Sequence, residues 1–433
     1  MSAADMADTP IRPSAVARYE DWPDYAVRHR FTAATPAAQQ LADTLGVPSV
    51  TPDLDYTVHS EADRDGVTTS HLSWQLGFGP RTSAWFVRPT GETRPLPGIL
   101  ALHCHGGEKA YGAERLVSLP DGPFAEGALP DGPFAEGALP DRKQTDDGGT
   151  PTGVFSGHNL QPFGPIPAEV REKLYDGRAL ATWLAQQGFA VLAHDTFMWG
   201  SRRFGLDTLP WRTAAAVNGR QALWREAGVE PSAAEMYNAA AAAHEETVAK
   251  AATLLGSSVA GTVAHDDLAA LDILSMLPGV DAERLGCLGF SGGGGRAMVL
   301  AALSPLIRSY VVTCMMTTFG SLLPAYLDAH SWLLHSPGLS RLGDWPDLAA
   351  RSAVEKVLVQ YGLADPLFPE QGMRDAHRHL LEHMPARYAG SLWHEPHVFT
   401  RAMQEEASAF LAAALRPTPS GTSPTPEPAR TDS

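Results

Sequence analysis

Short apolar runs alternate with longer segments of helical spacing along most of the chain. Continuous apolar runs bounded by turn residues are typical of strands buried on both faces, and in chain order these are GILALHCHGG, FAVLAHD, RLGCLGF, SYVVTCMM, EKVLVQYG and YAGSLWH. Helical spacing is found in AEVREKLYDGRALATWLAQQG, AHDDLAALDILSMLPG, GMRDAHRHLLEHM and FTRAMQEEASAFLAAAL. Strands separated by helices predict an α/β fold, in which a mostly parallel central sheet carries helices on both faces.

The region before the first buried strand has a different pattern. Between Gly66 and Val87, the segments GVTTSHLSWQLG and RTSAWFV are rich in β-branched and aromatic residues, with glycine and proline between them. This pattern predicts an antiparallel N-terminal hairpin. We therefore place an N-terminal extension at residues 1–60 and the α/β domain at residues 61–415.

Two segments interrupt the alternation of strands and helices. Residues 111–167 contain the decapeptide DGPFAEGALP twice in tandem, at 121–140. Its glycine and proline density prevents a packed element, and a solenoid needs longer units and at least three of them, so a flexible insertion is predicted. The alanine-rich, helical segment 211–256 predicts a helical cap, and the Pro, Ser and Thr content of 416–433 predicts a disordered tail.

Composition and charge narrow the class of protein. The chain has 433 residues, of which 44% are hydrophobic, enough for a large core. Its net charge of −16 argues against nucleic acid and anionic membranes as partners. The sequence has neither a signal-peptide pattern nor an apolar run of membrane-spanning length, so a cytoplasmic location is expected. Cys104, Cys287 and Cys314 each lie in an apolar run, which predicts reduced buried thiols. The oligomeric state stays open.

One serine lies between glycines directly after a predicted strand. The segment Gly289 to Gly293 matches G-x-S-x-G, and a helical segment follows it. At so tight a strand-to-helix turn, side chains two residues from Ser291 would collide with neighbouring backbone, which explains both glycines. Gly294 and Gly295 then permit close packing of the helix on the sheet. The arrangement predicts that Ser291 is a nucleophile.

A serine hydroxyl needs a base, a group that orients the base, and donors for the oxyanion. Asp365 follows the strand of LVQYGLADPLFP, and His397 lies between the last strand and the last helix. The oxyanion hole should combine the N–H of Gly292 with that of Gly106 or Gly107, in the loop after an earlier strand.

These motifs together carry a resemblance. The HGG loop, GFSGGG, YGLADPLFP and PHVF resemble the α/β-hydrolase superfamily, specifically its dienelactone-hydrolase-like and acetyl-xylan-esterase-like bacterial members. The similarity covers roughly residues 80–415 apart from the insertion, and it implies the α/β-hydrolase fold with a Ser291, Asp365 and His397 triad. Dienelactone hydrolases proper use a cysteine nucleophile where this chain has serine, which favours ordinary ester chemistry.

Other residues compete for these roles. His394 lies three residues before His397, but directly after an apolar strand, so His397 is the preferred base. His103 and His105 share one face of a strand and offer a metal site as the weaker alternative. His244 begins HEETV, which lacks the second histidine of the zinc motif HExxH.

Residues after the strand FAVLAHD are candidates for the substrate pocket. Asp195 ends that strand, and Trp199 and Arg202 follow it, at the rim where open α/β sheets bind ligands. A structural ion pair and core packing are the competing explanations for these residues.

The function predicted from the sequence is hydrolysis of a small-molecule carboxylic ester through an acyl-enzyme intermediate. This reaction needs no cofactor. Thioester or lactone hydrolysis, and a binding protein of the same fold without catalysis, are the alternatives.

Overall fold

The structure is a computed structural model that describes residues 18–22, 25, 36–50, 54–119, 163–323 and 326–417. The decapeptide repeat lies outside these ranges, as does the predicted tail beyond residue 417. No helix among the described residues is long and apolar enough to cross a membrane.

The strands of the described residues form one nine-stranded sheet in the order β1-β2-β3-β5-β4-β6-β7-β8-β9. Their bounds are β1 Tyr56–Arg64, β2 Val67–Trp74, β3 Thr82–Pro89, β4 Leu96–Leu102, β5 Ala190–His194, β6 Val280–Phe290, β7 Ile307–Thr313, β8 Lys356–Gly362 and β9 Tyr388–Trp393. β1, β2, β3 and β5 pair antiparallel, whereas β5, β4 and β6 to β9 run parallel. The predicted hairpin and the mostly parallel sheet are both confirmed.

The predicted helical segments are helices in the structure, with one difference. The bounds of the helices are α1 Pro36–Leu45, α2 Ala168–Tyr175, α3 Leu180–Gln186, α4 Trp211–Glu226, α5 Ala233–Leu254, α6 Val259–Met276, α7 Gly292–Leu303, α8 Phe319–Leu322, α9 Asp347–Arg351, α10 Glu370–His383 and α11 Arg401–Ala414. Of these, α1, α8 and α9 were not predicted. The single helix predicted over AEVREKLYDGRALATWLAQQG is two helices, because Asp176 has φ 53° and Gly177 has φ 72°. Left-handed residues of this kind end a helix.

Each face of the sheet carries its own hydrophobic core. Successive residues of a strand point to opposite faces, and in β8 the side chains of Val357 and Val359 join one core while Leu358 joins the other. Helices α6 and α7 cover the first core, and α3 and α11 cover the second. The sheet is therefore covered by helices on both faces, which explains the continuous apolar runs of its parallel strands.

The predicted N-terminal extension is partly integrated into the domain. β1 begins inside it and pairs with β2 at the edge of the sheet, and α1 packs against α7. The rings of Tyr19 and Trp22 are buried against Phe197, with centroids 5.2 and 4.8 Å away. None of the residues of β1 is buried, so its sequence shows no alternation of apolar and polar residues. Such exposure is typical of an edge strand.

The boundary predicted for the start of the flexible insertion, residue 111, lies too early in the chain. Arg115 is fully buried, and its guanidinium donates to the carbonyl oxygens of Cys104, Glu108 and Tyr111 at 2.7, 2.7 and 2.5 Å. A guanidinium has five N–H donors, so it can satisfy several loop carbonyls at once. The residues up to Arg115 therefore belong to the packed domain.

Candidate active site

Ser291 lies in a strained turn between β6 and α7. Its φ of 55° and ψ of −129° lie in a region that residues with a side chain rarely adopt. A Cβ at Gly289 would lie 2.1 Å from the carbonyl carbon of Gly293, and a Cβ at Gly293 would lie 2.1 Å from the carbonyl oxygen of Leu102. No side chain fits at either position, which is the steric reason for the two glycines of G-x-S-x-G.

The two glycines that follow have different surroundings. A Cβ at Gly294 would lie 3.0 Å from the carbonyl oxygen of Gly289, so this residue does bring α7 close to the sheet. A Cβ at Gly295 would instead lie 3.3 Å from the Trp345 ring and 3.4 Å from the Met315 side chain. The sheet-packing explanation therefore holds for Gly294 and is wrong for Gly295.

The structure brings Ser291, His397 and Asp365 together. Ser291 Oγ lies 2.8 Å from His397 Nε2, and His397 Nδ1 lies 2.5 Å from Asp365 Oδ2. Asp365 is only 4% exposed, and its Oδ1 accepts the backbone N–H of Leu367 at 2.9 Å. Because an ionised carboxylate can only accept hydrogen bonds, His397 carries its proton on Nδ1, and the Nε2 lone pair faces the serine.

His394 lies elsewhere. It directly follows β9 and is exposed, and within the described residues it makes no hydrogen bond to Ser291 or Asp365. The loop after β9 bends at His397, and His397 rather than His394 contacts the serine.

In the loop after β4, the backbone nitrogen beside Gly292 is not one of the two predicted as oxyanion donors. The N–H of Gly107 is already donated to His105 Nδ1 at 3.1 Å, and a Cβ at Gly106 would face Arg115 Nη1 and Cys104 Sγ. The backbone nitrogen of His105, however, lies 3.1 Å from the Cβ position of Gly292. The His105 N–H is therefore the candidate for the second donor beside Gly292. No glycine pattern marks this residue, because it precedes the glycines of the loop.

Two of the three predicted pocket residues have structural roles. Asp195 accepts the backbone N–H groups of Ala113 and Ser201 at 2.8 and 2.7 Å. Arg202 is fully buried and pairs with Asp266 at 3.1 Å. Both side chains are occupied in holding loops together, so the prediction that they line the pocket is wrong. The competing explanation of a structural ion pair is right for Arg202, whereas Asp195 binds backbone N–H groups instead.

Trp199 supports the loop after β4. Its Nε1 donates to the carbonyl oxygen of His105 at 3.3 Å, and its ring lies 5.1 Å from the His105 ring in an edge-on arrangement. The ammonium group of Lys109 lies 5.6 Å from the same ring. Trp199 is 1% exposed, so the prediction that it lines the pocket is also wrong.

A small cavity of about 20 Å³ opens beside Gly292. This is close to the space that one ordered water molecule needs. Its wall is mostly apolar and includes Val263, Val299, Met315, Leu333 and Trp345. Leu333 and Trp345 lie between β7 and β8 in a stretch without a regular apolar pattern. No sequence pattern therefore predicts that they line this cavity.

A buried ion pair forms the polar side of this cavity. Arg296 donates to both carboxylate oxygens of Asp267, at 3.0 and 2.6 Å, and to the carbonyl oxygen of His103 at 3.0 Å. Burial acts to raise the pKa of Asp267, but Arg296 and the hydrogen bond to His194 outweigh it and hold that pKa below its usual value. The pair joins α6 and α7 to the end of β4.

The two histidines of the alternative metal site do not converge. His103 is buried, and its Nδ1 lies 3.0 Å from the carbonyl oxygen of Cys104, whereas His105 Nε2 lies 3.2 Å from Glu245. His244 is buried against the ring of Phe204. Across the part of the chain that the structure describes, no three His, Cys, Asp or Glu side chains are placed to hold a metal ion together.

Comparison with known proteins identifies the fold. No family model matches the chain. A glucuronoyl esterase from Solibacter usitatus superposes with a TM-score of 0.53 at 15% identity, over 94% of this chain and 98% of that chain. A "putative acetyl xylan esterase" from Bacteroides fragilis superposes with a TM-score of 0.50 at 14% identity, over 83% of this chain and 73% of that chain.

One curated relative also matches in sequence. "Putative hydrolase YtaP" from Bacillus subtilis (strain 168) is 29% identical over 147 residues, which are 34% of this chain and 48% of that protein. The match thus spans about half the length of the relative. The sheet order, the turn at Ser291 and the structural neighbours agree, and the chain has the α/β-hydrolase fold.

Proposed function

We propose that this protein is a serine hydrolase that cleaves carboxylic esters through an acyl-enzyme intermediate. The observation that carries the proposal is the hydrogen-bonded chain from Ser291 Oγ through His397 to the buried Asp365. Its serine lies at the start of a helix, where free backbone N–H groups face developing negative charge.

The proposed reaction follows from the positions of these atoms. His397 Nε2 takes the proton of Ser291 as Oγ attacks the acyl carbon, and Asp365 stabilises the imidazolium that forms. The N–H groups of Gly292 and His105 stabilise the oxyanion. His397 then protonates the leaving alcohol, and a water molecule activated by the same histidine releases the acid from the acyl-enzyme.

The cavity beside Gly292 supports a short acyl group. Its volume of about 20 Å³ and its apolar wall have room for little more than the methyl group of an acetyl ester. Arg296, the cation in its lining, is paired with Asp267 and so does not favour an acyl group with a carboxylate. The neighbours named as glucuronoyl esterase and acetyl xylan esterase are esterases, which agrees with the proposed bond type. A cytoplasmic location, and the absence of nucleic acid partners, stay predictions from composition.

The test is hydrolysis of p-nitrophenyl acetate by wild type and by Ser291→Ala. We expect kcat to fall by at least about 10⁴-fold, because the triad acts as a unit, and a chelator to leave the wild-type rate unchanged. Ser275→Ala is the matched control, since its hydroxyl donates only within α6, to the carbonyl oxygen of Asp272. Retained turnover in Ser291→Ala, or loss of wild-type activity to the chelator, would contradict the proposal.

A further inference from the structure

Two segments of the chain, distant in sequence, converge on the carboxylate of Glu245 in helix α5. Its Oε2 accepts from Lys109 Nζ and lies 3.2 Å from His105 Nε2, while its Oε1 accepts the backbone N–H of Trp332 at 3.0 Å. The Glu245 side chain is 7% exposed and that of Lys109 is 4% exposed. One buried carboxylate thus joins helix α5, the loop after β4 and the segment around Trp332.

The hydrogen bonds of His105 fix its ring at both nitrogens. Nδ1 accepts the N–H of Gly107 at 3.1 Å, so Nε2 carries the proton and donates it to Glu245. Burial lowers the pKa of His105, although Glu245 acts against this, so the ring is neutral. Because ring and backbone belong to one residue, holding the ring also holds the His105 N–H that lies beside Gly292.

One face of α5 receives the rest of this loop. Asn238 Oδ1 accepts the N–H of Ala110 at 2.8 Å, and Lys109 Nζ lies 3.3 Å from the carbonyl oxygen of Ala241. Asn238, Ala241 and Glu245 are spaced by three and four residues, which places them on the same side of a helix. Since they share that side, the loop lies along the helix over two turns, and Glu245 is its last contact.

The same carboxylate reaches the wall of the cavity. Trp332, whose N–H it accepts, directly precedes Leu333, and Leu333 Cδ1 lies 3.3 Å from the Cβ position of Gly292. Burial acts to raise the pKa of Glu245, but Lys109 and His105 lower it below its usual value, so the carboxylate is ionised. An ionised acceptor forms stronger hydrogen bonds than a neutral one.

We propose that Glu245 is a positioning residue for the ester hydrolysis proposed above, on which this inference rests. Its carboxylate sets the position of the His105 N–H as an oxyanion donor and couples that donor to the Leu333 side of the cavity. Glu245 does not itself contact the substrate. Its effect is therefore expected on the transition state rather than on substrate binding.

The test compares Glu245→Ala and Glu245→Gln with the matched control Glu246→Gln, using p-nitrophenyl acetate. We expect Glu245→Ala to lower kcat by about 100-fold with KM within about threefold, as for loss of one oxyanion donor. Glu245→Gln keeps an acceptor oxygen but loses the charge opposite Lys109, so we expect a fall of about tenfold in kcat. Glu246 is exposed on the neighbouring position of α5, and its Oε1 accepts the indole N–H of Trp332 at 3.1 Å. A glutamine oxygen can accept the same hydrogen bond, so Glu246→Gln should stay within about twofold of wild type.

A second measurement separates positioning from general loss of structure. Phenylboronic acid forms a tetrahedral adduct with an active serine, and its inhibition constant should rise in parallel with the fall in kcat/KM across the Glu245 variants. Unchanged kcat and unchanged boronate affinity in Glu245→Gln would overturn the proposal. This outcome decides the question even if Glu245→Ala fails to fold. Equal losses in Glu246→Gln would overturn it too. Failure of the proposed function would instead appear in the wild type, as turnover that Ser291→Ala does not remove.

Discussion

The nucleophile turn and the loop after β4 lie side by side at the carboxyl end of the sheet, but different forces hold them. At the turn, backbone geometry suffices: Ser291 follows β6, and neighbouring glycines allow the close approach that the turn requires. In the loop, buried charges fix the backbone. Lys109 meets Glu245, which is 136 residues away along the chain, and the carbonyl of His103 meets Arg296 at a separation of 193 residues.

The turn depends on residues that are close together in the sequence, whereas the loop depends on side chains from distant parts of the chain. A turn that needs glycines at fixed offsets leaves a short motif, whereas a loop held by distant side chains leaves none. The two regions should also fail differently. Changes at Ser291 and His397 should remove catalysis and leave the fold intact, whereas changes at buried charges such as Asp267 should weaken the fold.

The largest effect is expected at the base. His397→Ala should lower kcat for p-nitrophenyl acetate by about 10⁴-fold with an unchanged melting temperature, because only the proton acceptor is lost. His394→Ala is the matched control and should stay within about twofold, since His394 is exposed. The reverse pattern would assign the base to His394 and would remove the geometric basis of the triad.

A large loss of stability is expected in the charge network. Asp267→Asn leaves Arg296 buried without its charge partner, and urea titration should show a loss of about 3–5 kcal/mol in the free energy of unfolding. Asp281→Asn breaks a partly exposed pair with Arg284 near the surface and should cost only about 1 kcal/mol. Similar losses in the two variants would mean that buried charge does not hold this side of the site.

A moderate change in specificity is expected at the cavity. Leu333→Ala removes part of the wall that faces Gly292, so the ratio of kcat/KM for p-nitrophenyl butyrate over acetate should rise about tenfold. Leu381→Ala, in an exposed position of α10, is the control. An unchanged ratio in Leu333→Ala would show that the acyl group binds elsewhere.

The smallest effect is expected from Glu114, on the loop side. Burial and the neighbouring Asp195 raise the pKa of Glu114 from 4.5 to about 7. The native state then binds this proton more tightly than the unfolded state, so stability falls as pH rises from about 4.5 to about 7. Glu114→Gln stays neutral and should raise the melting temperature by about 1–2 °C at pH 8.

The same variant should show almost no change at pH 5, where the native carboxyl of Glu114 is already protonated. Melting curves at pH 5 and pH 8, for wild type and variant, check both values. A stabilisation that is equal at the two pH values would show that ionisation of Glu114 is not its cause.

The sequence predicted the central elements because their patterns are local. The parallel strands are buried on both faces and appear as apolar runs, and the turn at Ser291 carries its own glycine spacing. His397 was predicted for the same reason, because it lies between a predicted strand and a predicted helix.

The sequence could not predict elements whose surroundings come from elsewhere in the chain. β1 is half exposed and shows no apolar pattern. Trp199 and Arg202 follow a strand end, as pocket residues do, but their partners His105 and Asp266 lie far away in sequence. Leu333 reaches the cavity from a stretch without regular spacing, so its role depends on tertiary packing alone.

The most direct test of the central claim is covalent labelling by a fluorophosphonate probe, followed by mass spectrometry of the digested protein. We expect one phosphonate per chain, on the peptide that contains Ser291. We expect no labelling of Ser291→Ala, and none of the wild type after heat denaturation. Labelling should be slowed by p-nitrophenyl acetate, because the ester and the probe compete for the same Oγ. Modification of a different residue, or failure of the native protein to react at all, would contradict the assignment of Ser291 as an activated nucleophile.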